Sequence, residues 1–176
     1  MLAGALSGRK VLAKLLERTG REPVAPELVF LDFANVSVAT ASFLRESVMV
    51  FRDLVRGRRS NFYPVIANAC DTVTDELAVL VAPYGDVLLL CTLDKDGRVR
   101  DPHLAGDLDP KQRITFDLVH QRGETDAAEL MREHGRGENI GQTAWNNRLA
   151  ALAGLGLVVE LSQGRAKRYR PLFAES

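Results

Sequence analysis

Five side chains between positions 142 and 148 have the chemistry to contact the edges of nucleic-acid bases. They are Gln142, Thr143, Asn146, Asn147 and Arg148. Glutamine and asparagine can form two hydrogen bonds with adenine, and arginine can do the same with guanine. Threonine and asparagine also reach phosphate oxygens. The segment therefore predicts a surface that presents hydrogen-bonding groups to a nucleic acid.

A cluster of positive side chains follows between positions 162 and 170. It comprises Arg165, Lys167, Arg168 and Arg170. From residue 148 to residue 173 the chain has five basic residues and one acidic residue, whereas the whole chain has 23 of each sign. Overall charge therefore cannot attract a polyanion, and any attraction to phosphates must come from this local stretch.

The elements predicted around these residues are three helices followed by two strands. The predicted helices are Pro110 to Gln121, Asp126 to Glu133 and Ile140 to Leu155, with a loop from Gly135 to Asn139. The predicted strands are Leu157 to Leu161 and Lys167 to Leu172, joined by a turn over Ser162 to Ala166. Trp145, Leu149 and Leu152 share one face of the third helix, which indicates a buried face.

This order of elements resembles that of bacterial winged-helix transcription regulators. The helix start from Thr143 to Leu149, the segment Gly156-Leu157-Val158 and the basic turn from Gly164 to Arg170 carry the resemblance. It implies that the five residues between 142 and 148 face the DNA major groove. It also implies that Arg165, Lys167 and Arg168 contact the DNA backbone or minor groove.

The first hundred residues alternate between helical and strand patterns. The helices are predicted over Ser7 to Arg18, with Ser7 as N-cap, from Thr40 or Ala41 to Val55, and over Asp71 to Leu80, with Asp71 or Thr72 as N-cap. The strands are predicted over Leu28 to Phe33, Phe62 to Asn68 and Val87 to Leu93, with Arg98 to Arg100 returning as an edge strand. Val36 to Ala39 is expected to extend the first strand or pair with it. This alternation is typical of an α/β layer.

The stretch from Leu31 to Leu44 places a strand end at Asp32-Phe33 and a helix start at Ser42-Phe43. It resembles the anti-sigma-factor antagonist (STAS) domain, and more closely the bacterial STAS-like domains. The resemblance implies a partner-binding surface that includes Asp32, Thr40, Ser42 and Phe43. The serine that is phosphorylated in the antagonist family corresponds to Ala41 here. Thr40 and Ser42 flank it, and their hydroxyls are interpreted either as helix caps or as modification sites.

No set of residues predicts catalysis or metal binding. His103, His120 and His134 lack the spacing of metal ligands, so we expect no enzyme activity, no metal and no cofactor. Cys70 and Cys91 lie in apolar surroundings and are expected to be buried, reduced thiols. No apolar run has the length of a membrane span, which favours a cytoplasmic protein with no membrane partner.

The sequence therefore predicts a two-domain α+β protein. A STAS-like α/β domain is expected over 1–100, a linker over 101–109 and a winged helix-turn-helix domain over 110–176. The predicted function is a transcription regulator that binds double-stranded DNA and whose first domain receives a signal from a protein partner or ligand. The alternative is an adaptor in a partner-switching pathway that does not bind DNA. The apolar segment from Met1 to Leu6 is a candidate homodimer contact.

Overall fold

The computed structural model describes residues 1–173, apart from the side chain of Gln163. The chain forms two compact units, Met1–Asp107 and Leu108–Ser176. Residues 174–176, which the prediction included in the second domain, lie outside the described residues. The described residues combine helices with a four-stranded mixed sheet and a two-stranded sheet, so the chain is a mixed α/β protein.

The first unit builds the four-stranded sheet and the helices that connect its strands. The strands are β1 (Glu27–Asp32), β2 (Phe62–Ala67), β3 (Leu88–Leu93) and β4 (Val99–Ala105). The α-helices are α1 (Ala5–Arg18), α2 (Ala41–Leu44), α3 (Val50–Gly57) and α4 (Asp71–Val81). A π-helical segment, Arg45–Met49, joins α2 to α3, and a 3-10 turn, Ala82–Tyr84, follows α4.

The sheet has the order β1-β2-β3-β4, in which the first three strands are parallel and β4 is antiparallel to β3. Leu31, Ile66 and Leu90 lie side by side across the three parallel strands. They belong to one apolar core with Phe43 and Phe51 from the crossover between β1 and β2. The continuous apolar runs of these strands follow from this burial, because parallel strands are covered by their crossover helices.

Both ends of the sheet differ in detail from the predicted elements. β4 continues through Ala105, so residues 101–105, which were predicted to be linker, are strand. The pattern missed this extension because four successive residues of β4 are exposed and one of them is Pro102. Ala39 does not pair with β1, because it forms a parallel bridge with Leu2 instead.

Two helix starts in the first unit also differ from the predicted caps. The first helix begins after Gly4, whose φ of 82° favours glycine, and not at Ser7. Helix α4 begins after Cys70, whose backbone is extended, and not after Asp71 or Thr72. Cys70 is exposed at this helix start, which corrects the prediction of a buried thiol, whereas Cys91 is buried as expected.

The second unit has three helices followed by a two-stranded antiparallel sheet. The helices are α5 (Pro110–Arg122), α6 (Ala127–Glu138) and α7 (Gln142–Leu155). The strands are β5 (Val158–Gln163) and β6 (Ala166–Pro171). An additional bridge joins Thr125 to Tyr169 through two backbone hydrogen bonds of 2.9 and 2.8 Å.

Helix α6 is longer than the sequence predicts, because the expected loop from Gly135 to Asn139 continues the helix to Glu138. Asn139 then adopts a left-handed conformation with φ of 52° and ends it. The loop was predicted because glycines stand at 135 and 137, but helix α6 contains both. A Cβ at Gly135 would lie 3.3 Å from the Ile140 carbonyl oxygen, so a small residue suits this tight turn.

No helix among the residues that the structure describes is both long enough and apolar enough to cross a membrane.

Candidate nucleic-acid interface

Helix α7 has one buried face and one polar face, as its sequence pattern predicts. Trp145, Leu149 and Leu152 are fully buried in the second unit. The exposed residues at the start of the helix are Gln142, Thr143, Asn146 and Asn147. Helix α7 contains no acidic residue, so nothing on the helix itself would repel a phosphate backbone. Its first turn has no side-chain cap, which leaves backbone N–H groups at the N-terminus available to an anion.

Arg148 differs from its four predicted companions because its side chain turns inward. Only 11% of the side chain is exposed. Its guanidinium lies 3.7 Å from a Glu138 carboxylate oxygen and 5.1 Å from the centre of the Trp145 ring. The distance to Glu138 is that of an ion pair and exceeds a hydrogen bond. In this conformation Arg148 links α6 to α7 and does not project from the polar face.

The antiparallel pair β5 and β6, which we call the wing, presents its positive side chains in three different ways. Arg165 is exposed in the turn between the strands, and none of the described residues forms an ion pair with it. Lys167 is 41% exposed, and its ammonium group lies 2.9 Å from Glu160 on the neighbouring strand. Arg168 is only 24% exposed and is surrounded by carboxylates. Arg165 therefore has the most accessible charge of the three.

Arg168 binds the wing to the start of α6. Its guanidinium donates hydrogen bonds to Glu124, to Asp126 at 3.1 Å and to Glu129 at 3.2 Å. Burial raises the pKa of Glu129, but hydrogen bonds from Arg168 and Thr125 outweigh it and hold this pKa below its ordinary value. Glu124 and Glu129 in turn raise the pKa of Arg168, mainly through the hydrogen bond to Glu124. The sequence could not show this cluster, because Arg168 lies 39 or more positions from these partners.

The polar face of α7 and the wing border a common groove with a volume of about 500 Å³. It is lined by Gln142, Asn146 and Asn147 on one side and by Arg165 and Lys167 on the other. Asp126, Ala127 and Ala128 also line it. The fold thus brings five of the eight predicted nucleic-acid contacts to one concave surface, while Thr143 is exposed outside its lining.

Two arginines that were not predicted as contacts lie near the start of α7. Arg132 and Arg136 are exposed, one helical turn apart on α6. Together with Gly141, the N-cap of α7, they line a second cavity. No carboxylate of the described residues pairs with either arginine. Their spacing of four residues was a usable signal, but the predicted loop over Gly135 to Asn139 concealed it.

The residues predicted for partner binding in the first unit mainly hold the local backbone. The Thr40 hydroxyl accepts hydrogen bonds from the Phe43 amide at 3.3 Å and the Gly4 amide at 3.2 Å, so Thr40 is the N-cap of α2. Ser42 is half-buried, with its hydroxyl 3.2 Å from that of Thr40. Phe43 is in the core. Of the two interpretations of these hydroxyls, the structure shows the helix cap for Thr40.

Asp32 lies at the carboxyl end of β1 and orders the turn that follows. One of its carboxylate oxygens accepts hydrogen bonds from the Ala34 amide and the Asn68 side chain, both at 2.9 Å. Asn68, which was not among the predicted site residues, also accepts a hydrogen bond from the Leu93 amide at 2.8 Å. Its φ of 56° is one that asparagine tolerates better than most residues, and this is the signal that was available.

A scan of protein-family models finds no match to this chain, and a search of curated proteins finds no relative.

Proposed function

We propose that this chain is a DNA-binding transcription regulator, in which the second unit is a winged helix and the first is a STAS-like module. The observation that carries the proposal is the groove shared by α7 and the wing. It combines neutral hydrogen-bonding side chains on a helix with the positive charge of Arg165 and Lys167. Such a pairing supplies both base contacts and phosphate contacts. The regulator is proposed to be cytoplasmic and to have no enzymatic activity of its own.

Within this proposal the predicted contacts have different roles. Gln142, Asn146 and Asn147 read bases, and Thr143 reaches a phosphate beside them. Arg165 supplies the main backbone contact of the wing, and Lys167 contributes less because it shares its charge with Glu160. Arg148 and Arg168 position α7 and the wing through their ion pairs.

The binding test is a fluorescence-anisotropy titration of labelled genomic fragments, including the region upstream of the protein's own gene. It is run at low and near-physiological salt. We expect saturable binding that prefers particular fragments and weakens as salt rises, because counterions are released from the phosphates. Absence of binding at both salt concentrations would contradict the proposal and favour the adaptor.

Arg165→Ala should weaken binding to all fragments and reduce the slope of log affinity against log salt by about one. Arg113→Ala is the matched control, because Arg113 is an exposed arginine of α5 whose nearest carboxylate is Asp117 on the same helix. It should leave the slope unchanged. Asn146→Ala should instead change the order of preference among fragments with little change in slope.

The adaptor function remains the second candidate because so much of the basic charge is already paired. Three of the positive residues between 148 and 173 form ion pairs within the unit, namely Arg148, Lys167 and Arg168. Under this alternative the groove receives a protein segment. Arg165→Ala would then weaken binding of that partner, and neither the parent chain nor the variant would bind DNA.

The homodimer belongs to the proposal as well, since two copies would match two half-sites. Leu2 is half-buried and bridges Ala39, so the exposed Met1 and Leu6 are the residues of the first segment that remain for such a contact. Sedimentation velocity of the full chain, compared with Leu6→Ser, tests this contact.

A further inference from the structure

Strand β1 forms an edge of the sheet whose outer side is open. Among the described strands it pairs only with β2. The amide groups of Glu27 and Phe33 donate to Asn61 and Ala67 on the β2 side. Because hydrogen-bonding direction alternates along a strand, the N–H and C=O groups of Leu28 and Phe30 point away from β2. None of the residues in the described range forms a hydrogen bond with these outward groups.

The opposite edge of the same sheet, strand β4, is protected against the addition of another strand. Strand β4 has Pro102 in its middle, preceded by the charged residues Arg100 and Asp101, and Asp101 has a left-handed φ of 47°. Its pairing with β3 also contains an irregularity between Leu90 and Thr92. Proline, charge and irregular pairing are the features that prevent another strand from adding to an edge. Within β1 the residues from Leu28 to Leu31 are all apolar and carry none of these features.

A groove runs between β1 and helix α1, with a volume of about 310 Å³. Val11 and Leu15 line it from α1, and Phe30 and Leu31 line it from β1. Successive residues of a strand point to opposite faces, so lining by both Phe30 and Leu31 places the groove around the edge itself. Arg18 and Asp32 supply one positive and one negative side chain to the same groove.

From these observations we propose that the first unit binds an extended segment of a partner protein by adding it as a fifth strand beside β1. The backbone of the segment pairs with Leu28 and Phe30, and its apolar side chains enter the groove beneath α1. A basic residue near one end meets Asp32, and an acidic residue near the other meets Arg18. The inference rests on the proposed role of the first unit as a receiver of a partner, and it does not depend on DNA binding.

A second copy of this chain fits the edge less well. In antiparallel self-pairing with Phe30 opposite Phe30, Asp32 of each copy lies opposite Leu28 of the other. Strand β1 has no basic residue to meet its own acidic ends, Glu27 and Asp32. Charge complementarity therefore favours a different segment.

The test uses the full chain and a panel of fluorescein-labelled, seven-position peptides. Each has Lys and Glu at its two ends, in either order, and alternates Thr with one of Val, Leu or Phe. Each peptide is also made in two N-methylated forms, which block alternate sets of backbone N–H groups. Because only one set faces β1, we expect one methylated form to bind about tenfold more weakly and the other to bind like the parent.

Variants of β1 provide the second arm. Leu28→Pro removes an N–H that points away from β2, so the sheet should keep its own hydrogen bonds while peptide affinity falls by about tenfold. Leu28→Thr retains the N–H and should lose less affinity. Hydrogen exchange of the Phe30 amide should slow when the peptide binds. If Leu28→Pro does not fold, the two methylated forms on the unaltered chain decide the question.

Equal binding of both methylated forms, or binding by no member of the panel, overturns the inference. Self-association of the chain that Leu28→Pro abolishes also overturns it, because a second copy would then occupy the edge. DNA titration of the same preparation separates the two proposals. DNA binding without peptide binding rejects only the proposed peptide site beside β1. Peptide binding without DNA binding rejects only the proposed DNA-binding function.

Discussion

At the scale of single residues, charge pairing decides which predicted contacts remain accessible. Arg165 is exposed and has no ion-pair partner among the described residues, whereas Arg168 is shared among three carboxylates. The difference depends on partners that are distant in sequence. A count of charges therefore located the basic stretch but could not tell an accessible charge from one that is paired within the unit.

Arg168→Met should destabilise the second unit by about 1 kcal/mol, because Glu124, Asp126 and Glu129 would then repel one another. Since the pKa of Glu129 is lowered in the folded state, its stabilising contribution is present above its unfolded pKa and is lost as pH falls. The difference in the free energy of unfolding between the variant and the parent should thus be largest at pH 7 and should shrink below about pH 4. Urea unfolding across this pH range measures it.

Arg113→Met is the control for this prediction, because it breaks an exposed ion pair of 3.5 Å with Asp117. Its effect should be within about 0.5 kcal/mol at any pH. A loss for Arg168→Met that is no larger than this would contradict the positioning role of Arg168.

The two cysteines should differ sharply in reactivity. Cys70 is exposed, with its sulfur near the carbonyl oxygens of Val36 and Ser37. Burial raises the pKa of Cys91 to about 11, so little of it is thiolate at neutral pH. We expect iodoacetamide to modify Cys70 in the folded chain and Cys91 only after denaturation. Peptide mass spectrometry at successive times tests this, and equal rates in the folded chain would refute it.

At the scale of elements, close packing of α1 against α2 makes a single glycine critical. A Cβ added to Gly8 would lie 2.7 Å from the Phe43 carbonyl oxygen, which is backbone and cannot move aside cheaply. Gly8→Ala should therefore reduce the free energy of unfolding by about 2 kcal/mol. Chemical denaturation of the full chain measures this change.

Gly57→Ala provides the matched control, because Gly57 is also helical but a Cβ there meets nothing within 4 Å. Alanine favours the helix, so this variant should be more stable by about 0.5 kcal/mol. Destabilisation by both substitutions, to similar extents, would show that backbone preference and not the contact with Phe43 is responsible.

Elements with strong apolar patterns were predictable, and their ends were not. The segments around Leu31, Ile66 and Leu90 were identified as strands because each is an uninterrupted apolar run. Strand β4 was underestimated because exposed polar residues pair through their backbone alone. Helix α6 was underestimated because Gly135 and Gly137 lower helix propensity, which the capping box of Asp126 and Glu129 helps to offset.

The site could be predicted only in part, for the same physical reason. Residue types and helical spacing identified the polar face of α7, since both are local properties. The inward turn of Arg148 toward Glu138, the carboxylates around Arg168 and the open edge of β1 all depend on tertiary contacts. The carboxylates around Arg168 lie 39 or more positions away in sequence. Glu138 is much nearer to Arg148, but sequence spacing alone does not fix the direction in which the arginine side chain turns.

At the scale of the whole molecule, two separate cores imply two cooperative units. The core of the first unit includes Leu31, Phe43 and Ile66, and Trp145 and Leu149 are buried in the second. The division falls between Asp107 and Leu108. Since a domain with its own core can fold alone, fragments 1–107 and 108–176 should each show a cooperative thermal transition.

The fragments also separate the two proposed functions. Fragment 108–176 should bind DNA with the salt slope of the full chain, because every proposed DNA contact lies between 142 and 168. Fragment 1–107 should bind the peptide panel and no DNA, since every residue that lines the groove lies between Leu2 and Val48. Circular dichroism and anisotropy titrations on both fragments measure these outcomes. A folded fragment 108–176 that binds DNA with a clearly smaller slope would mean that basic residues of the first unit also contact phosphates, and the DNA interface would then have to be extended beyond α7 and the wing.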